Sequence, residues 1–129
     1  MPVHPMATKI LIVDDEPFVR DLLEKVLRRG GHEVVACATA DDALAKLRSS
    51  RFDLLLTDVV MPGMDGFDLL RRVKAVHPTI KVIVLTGYAR MQSISDFLLY
   101  GADDYIAKPF QVHELVAAVD RVTAAAAPA

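Results

Sequence analysis

Apolar residues follow two alternating rhythms along this chain. Five short runs rich in branched aliphatics, Ile10–Val13, Val34–Ala36, Leu54–Thr57, Lys81–Thr86 and Tyr105–Ala107, show little alternation of polar and apolar positions. Strands buried on both faces have that signature. Between them the spacing turns helical. Val19, Leu22, Leu23, Val26 and Leu27 follow the i, i+3, i+4, i+7, i+8 template of one apolar helix face, with Pro17 suited to the first turn and Gly30-Gly31 to the end. Thr39 can cap a second helix whose inner face carries Ala40, Ala43, Leu44 and Leu47, and Asp42 occupies the capping-box position. Val112, Leu115, Val116 and Val119 repeat the pattern in the last helix. The strands start at positions 10, 34, 54, 81 and 105, which is the rhythm of repeated βα units.

Helices alternating with doubly buried strands predict an α/β, three-layer sandwich. Right-handed crossovers make its sheet parallel, and the doubly wound, flavodoxin-like order for five strands is 2-1-3-4-5, with the ligand crevice beyond the carboxyl ends of strands 1 and 3. The expected limits are a flexible segment 1–8, a single domain over 9–123 and a flexible alanine- and proline-rich tail over 124–129.

Composition narrows the partners. The 129 residues are one domain's worth, and 53% hydrophobic against 25% charged residues supplies enough apolar surface for a core. Fifteen Lys and Arg against seventeen Asp and Glu leave a formal charge of −2, too balanced for direct nucleic-acid binding through phosphates. One cysteine, Cys37, set among Val34, Val35 and Ala36, reads as part of a buried strand in a reducing, cytoplasmic setting. No apolar run approaches the roughly 20 residues that a membrane-spanning helix needs, and no signal peptide is legible, so no membrane partner is expected.

The chemistry gathers at the predicted carboxyl edge. Asp14, Asp15 and Glu16 follow strand 1, Asp58 follows strand 3, Thr86-Gly87 ends strand 4, and Lys108-Pro109 follows strand 5. Asp14, Asp15 and Asp58 on neighbouring strand ends would repel one another unless a cation joined them. Oxygen-only ligands without suitably spaced His or Cys favour Mg²⁺, which also attracts phosphoryl groups. Around such an ion Asp58 is the natural nucleophile for phosphorus, in a loop of small and turn-forming residues that leaves it accessible. Thr86 can donate to a phosphoryl oxygen, and Lys108 supplies charge opposite the metal. Taken singly, Asp14 to Glu16 read as helix caps, Asp58 as a loop residue, Lys108 as an exposed charge and Thr86 as a strand-end hydroxyl. Their coincidence at one edge favours shared chemistry.

These residues carry a resemblance from Lys9 to about Val122. Ile12-Val13-Asp14-Asp15-Glu16, Asp58-Val59-Val60-Met61-Pro62-Gly63-Met64-Asp65-Gly66, Leu85-Thr86-Gly87 and Gly101-Ala102-Asp103-Asp104-Tyr105 leading into Lys108-Pro109-Phe110 resemble the receiver domains of two-component response regulators. The resemblance implies that Asp58 accepts a phosphoryl group from a sensor histidine kinase or phosphotransfer protein. It implies that Asp15, Asp58 and the carbonyl of Val60 bind Mg²⁺, with Asp14 acting through metal-bound water, and that Lys108-Pro109 is cis. It also implies a switch: Thr86 moves toward the phosphoryl group, Tyr105 fills the vacated volume, and the face of helix 4, strand 5 and helix 5 presents the output to a downstream protein or effector domain. A hydrogen bond to such a charged acceptor is worth about 1.5–3 kcal/mol, a population shift of roughly ten- to over a hundred-fold. Such a domain modifies itself and is not an enzyme acting on other substrates.

Several positions carry further expectations. Phe97 and Tyr100 stand where receivers commonly have small residues, and with Leu98 and Leu99 they make an apolar turn that fits a homodimer contact, a docking surface or a repacked core. Val60 and Tyr88, two residues beyond Asp58 and Thr86, cannot orient an attacking water, which predicts slow loss of the phosphoryl group. His4, His32, His77 and His113 share no metal spacing, and Arg71-Arg72-Lys74 reads as a solvated helix face. The alternative in the enzyme class is a Mg²⁺-dependent aspartyl-phosphate phosphatase of haloacid dehalogenase-like type. It would want a second acid where Val60 stands. A flavodoxin-like cofactor carrier would want a hydroxyl- or glycine-rich loop where Asp14-Asp15-Glu16 stands. With no effector sequence after Val122, both a stand-alone receiver and one cut from a longer regulator are compatible with the chain.

Overall fold

Five parallel strands form the central sheet: β1 (Lys9–Val13), β2 (Glu33–Cys37), β3 (Leu54–Asp58), β6 (Lys81–Thr86) and β7 (Asp104–Ala107), in the order β2-β1-β3-β6-β7. Counting this sheet's strands alone, the order is the expected 2-1-3-4-5. The computed structural model of the chain describes residues 8–58, 60–61, 64–87, 98 and 101–126. Between β3 and β6 lies an antiparallel ladder of two-residue strands, β4 (Val60–Met61) and β5 (Met64–Asp65), within what reads from the sequence as a loop.

Alternate side chains of each strand feed two separate cores. Leu11, Val13, Leu55, Val82 and Val84 pack with Ala43, Leu44 and Leu47 of helix α2 (Ala40–Ser49) and Leu69, Leu70 and Val73 of helix α3 (Gly66–Val76). Ile10, Ile12, Leu54, Leu56, Ile83, Leu85 and Ile106 pack with Leu23 and Leu27 of helix α1 (Pro17–Arg29) and with Leu115, Ala118, Val119 and Val122 of the C-terminal helix (Val112–Ala126). Every residue of β3 is buried, which is why its sequence does not alternate. The layers hold the sheet rigidly, so its carboxyl edge is a fixed platform. Truncating a central leucine such as Leu55 to alanine would cost about 2–5 kcal/mol.

Local chemistry sets the element ends. Pro17 starts α1 at a position with no helical N–H bond to lose, and Gly31, at φ +90°, turns the chain out of it. The Thr39 hydroxyl accepts from the Asp42 N–H at 3.1 Å and caps α2. The C-terminal helix runs through Ala126, past the limit at 123 expected from the sequence, because alanine favours helix strongly. Of the apolar turn around Leu98, only Leu98 itself is described; it is helical and exposed. Phe97, Leu99 and Tyr100 lie outside the described residues.

Lys74 departs from the solvated-face expectation. Its Nζ donates to the carbonyl of Ile80 at 2.6 Å and lies 3.5 Å from Asp103, and its stem packs beside Gly101. It is a strut from α3 to the amino end of β6.

Candidate functional site

The carboxyl edge is built from strand ends and the loops that leave them. Asp14 follows β1, and its N–H extends the ladder by donating to the carbonyl of Cys37 at 3.2 Å. Its Oδ1 accepts from the Glu16 N–H at 2.9 Å. Asp58 is the last residue of β3, beside β1 in the sheet, so both carboxylates stand at adjacent strand tips. Lys108 comes from the far side. Its N–H donates to the carbonyl of Thr86 at 2.7 Å, which pins the loop after β7 onto the end of β6, and the Lys108-Pro109 peptide is cis.

From there the ammonium of Lys108 reaches back over the edge. Nζ donates to Asp58 Oδ2 at 2.9 Å and to Asp14 Oδ2 at 3.0 Å, and lies 3.5 Å from Glu16 Oε1. Burial by itself would lower the lysine pKa; the hydrogen bonds to Asp58 and Asp14 outweigh it and leave the pKa raised, so Lys108 is a standing positive charge. Asp14 shows the opposite balance. Its burial raises the carboxyl pKa against the lowering effects of the Glu16 N–H and Lys108. Asp14 and Asp58 are buried, whereas Asp15 and Glu16 are exposed and form the open side of the cluster.

One oxygen of each of Asp14, Asp15, Glu16 and Asp58 lies within 4.8 Å of the others. Among the described residues, four carboxylates stand here with one ammonium. A hard divalent cation fits this set, since the donors are oxygens alone and Asp15 faces water that such an ion would retain.

Asp58 is 5% exposed, which corrects the expectation of an open carboxylate: Lys108 lies across it. Thr86, buried at the end of β6, stands beside exposed Gly87. Register pairs Val84 with Tyr105 and Thr86 with Ala107. Thr86 and Tyr105 are therefore on the same face of the sheet, one diagonal step apart, and Tyr105 is 37% exposed. Val60 opens β4 two residues beyond Asp58. Tyr88 lies outside the described residues.

Comparison with known proteins decides the family. The family model for the response regulator receiver domain matches residues 10–120. The chain belongs to this receiver family. It is 39% identical over 116 residues to the response regulator protein FleR of Pseudomonas aeruginosa, covering 90% of this chain and 24% of that protein. It is 38% identical to sporulation initiation phosphotransferase F of Bacillus subtilis, covering 90% of this chain and 94% of the relative. It thus spans about a quarter of one relative and nearly all of the other. Among solved structures, the CheY-like receiver domain protein from Methanospirillum hungatei superposes with a TM-score of 0.88 at 36% identity, covering 94% of this chain and 97% of that one.

This receiver therefore carries its family's acidic pocket together with a nearby lysine. Nothing in the comparisons supports the phosphatase alternative. Among the described residues no helix is long and apolar enough to cross a membrane. Cys37 is buried, its Sγ donating to the carbonyl of Ile12 at 3.5 Å, and burial pushes its thiol up to about 11, so it is unreactive. Glu16, placed at this edge from the sequence but not named as a ligand, joins the cluster. One feature escaped the sequence reading. Arg20, whose Nη1 donates to the carbonyl of Asp14 at 2.7 Å, gave no signal beyond lying one helical turn downstream.

Proposed function

We propose that Asp58 is the phosphoryl acceptor of this receiver, taking the group from a sensor histidine kinase or phosphotransfer protein in a Mg²⁺-dependent reaction. What carries the reading is the shared lysine: one ammonium bonded to Asp58 and Asp14 within an oxygen-only cluster at the sheet's carboxyl edge. Asp15, Asp58 and the carbonyl of Val60 would hold the ion, with Asp14 acting through a water. When bound, the ion would neutralise phosphoryl oxygens and offset the charge of the crowded carboxylates.

The remaining steps belong to the chain. The Asp58 carboxylate attacks phosphorus as the donor's phosphorus–nitrogen bond breaks, and the departing imidazole takes a proton from solvent. Lys108, already ionised beside Asp58, neutralises charge on the transferring group, and the Thr86 hydroxyl donates to a phosphoryl oxygen. The donor approaches from the Asp15 and Glu16 side, where the cluster is open. Movement of Thr86 makes room on the face it shares with Tyr105, and the output surface includes the exposed Tyr105, Val112 and Val116. A downstream protein, an effector domain or a second copy would read that surface in the cytoplasm, without direct contact to nucleic acid or membrane. The domain modifies itself and does not turn over free substrates.

The test is incubation with Mg²⁺ and acetyl phosphate followed by intact mass. Gain of one phosphoryl group, lost in Asp58→Asn, is the expected result. No gain in the natural chain, or an undiminished gain in Asp58→Asn, would overturn the assignment, as would repeated turnover of phosphate esters.

A further inference from the structure

We propose that Arg20 is a positioning residue for the metal-binding carboxylates, an inference that rests on the reading of the acidic cluster just given. Arg20 stands in the first turn of α1, and its Nη1 donates to the carbonyl oxygen of Asp14 at 2.7 Å. That carbonyl belongs to the peptide joining Asp14 to Asp15. A peptide unit is planar and rigid, so anchoring its oxygen also orients its other end, the N–H and Cα of Asp15.

The rest of Asp14 is already tied down. Its N–H donates to Cys37, Oδ1 accepts from the Glu16 N–H, and Oδ2 accepts from Lys108. Asp15, by contrast, is exposed, so packing does little to fix its carboxylate. The guanidinium bond is charge-assisted and holds the peptide that leads into Asp15, while the Glu16 N–H bond to Asp14 Oδ1 holds the peptide that leaves it. Arg20 is itself braced, since its N–H donates to the carbonyl of Glu16 at 3.0 Å within α1.

The experiment is Mg²⁺ titration of the full chain by calorimetry for the natural protein, Arg20→Met, Arg20→Lys and Asp15→Asn, with amide hydrogen exchange at Glu16 in metal-free protein. Expected are a loss of binding in Asp15→Asn and an affinity weaker by about 10–100-fold in Arg20→Met, the range for residues that orient metal ligands. Arg20→Lys should recover part of that loss, and the Glu16 amide should exchange faster in metal-free Arg20→Met. A folded Arg20→Met that binds Mg²⁺ like the natural protein would overturn the proposal. Should Arg20→Met not fold, Arg20→Gln, too short to span the gap, reads the same quantity with the same two outcomes. Failure of the natural chain to bind Mg²⁺, or unchanged binding in Asp15→Asn, would instead sink the reading of the cluster itself.

Discussion

Both ends of the sheet carry a cluster of lysine and aspartate, and the two are built on opposite principles. At the amino end Asp103 lies between Lys74 and Lys81, at 3.5 and 3.8 Å. Its Oδ2 accepts from the Val82 N–H at 2.8 Å, its own N–H donates to the Val82 carbonyl at 2.7 Å, and Lys74 donates to Ile80. Asp103 and Lys74 each have a backbone partner there, and two ammoniums flank one carboxylate. At the carboxyl end, among the described residues, one ammonium reaches three of four carboxylates whose oxygens converge within 4.8 Å. The first cluster is closed and acts as a clamp; the second carries excess negative charge and calls for a cation. Unbalanced charge at a fixed edge, rather than charge as such, separates a site from a fastening.

The sharpest way to break this contrast is to neutralise one aspartate at each end. Asp58→Asn is expected to abolish phosphorylation by acetyl phosphate while leaving the fold intact, since it removes a repelling charge and Lys108 keeps Asp14. Asp103→Ala should do the reverse, retaining phosphorylation and costing about 1–3 kcal/mol by denying the buried Val82 N–H its acceptor. Intact mass and thermal melting on both variants decide the matter. Equal stability losses at the two ends would erase the distinction.

Mg²⁺ supplies the next largest effect. A ligand at one hundred times its dissociation constant stabilises the state that binds it by about 2.7 kcal/mol. Melting in saturating Mg²⁺ against excess chelator should show a shift of that order in the natural chain and none in Asp15→Asn, whereas Asp103→Ala should respond like the natural protein. A Mg²⁺ response that survived Asp15→Asn would move the ion elsewhere.

Gly101 tests the clamp alone. Its φ of +105° disfavours any side chain, and a Cβ there would meet Cγ and Cε of Lys74 at 3.3 Å. Gly101→Ala is expected to cost about 1–3 kcal/mol, read as a lower melting temperature. Adding Lys74→Ala to it should remove the steric part and leave the conformational part. Full additivity of the two changes would mean that they do not touch.

How much of this was legible beforehand follows the physics of each feature. The strands were legible because their branched aliphatics feed two cores at once, and the site because its residues follow strand tips directly in the chain. The β4–β5 ladder was not, since two residues per strand show no period. Lys74 was not, because its partners at Ile80 and Asp103 lie in loops outside its helix, and a helix-face lysine with neighbouring arginines has the pattern of a solvated surface. The burial of Asp58 was hidden because Lys108, which covers it, is fifty residues away. Long-range closure of a site leaves no local trace.

The smallest expected effect sharpens the boundary of the carboxyl-edge cluster. A Glu16 oxygen lies within 4.8 Å of those of its three neighbours, yet its side chain is 61% exposed and its contact to Lys108 is 3.5 Å. An exposed pair of this kind is worth little, so Glu16→Gln should change stability by less than about 0.5 kcal/mol. Its effect on Mg²⁺ should be purely coulombic. One charge about 5 Å from a divalent ion in a nearly aqueous dielectric contributes about 1.7 kcal/mol before screening, or roughly sixteen-fold in affinity. Because the interaction passes through solvent, raising the salt should shrink that factor toward unity. Calorimetric titration of Glu16→Gln at low and high salt measures both. A loss beyond about ten-fold that persists at high salt would make Glu16 a direct ligand, and the excess charge that distinguishes the two ends of the sheet would then belong to four bound carboxylates instead of an inner set with an exposed rim.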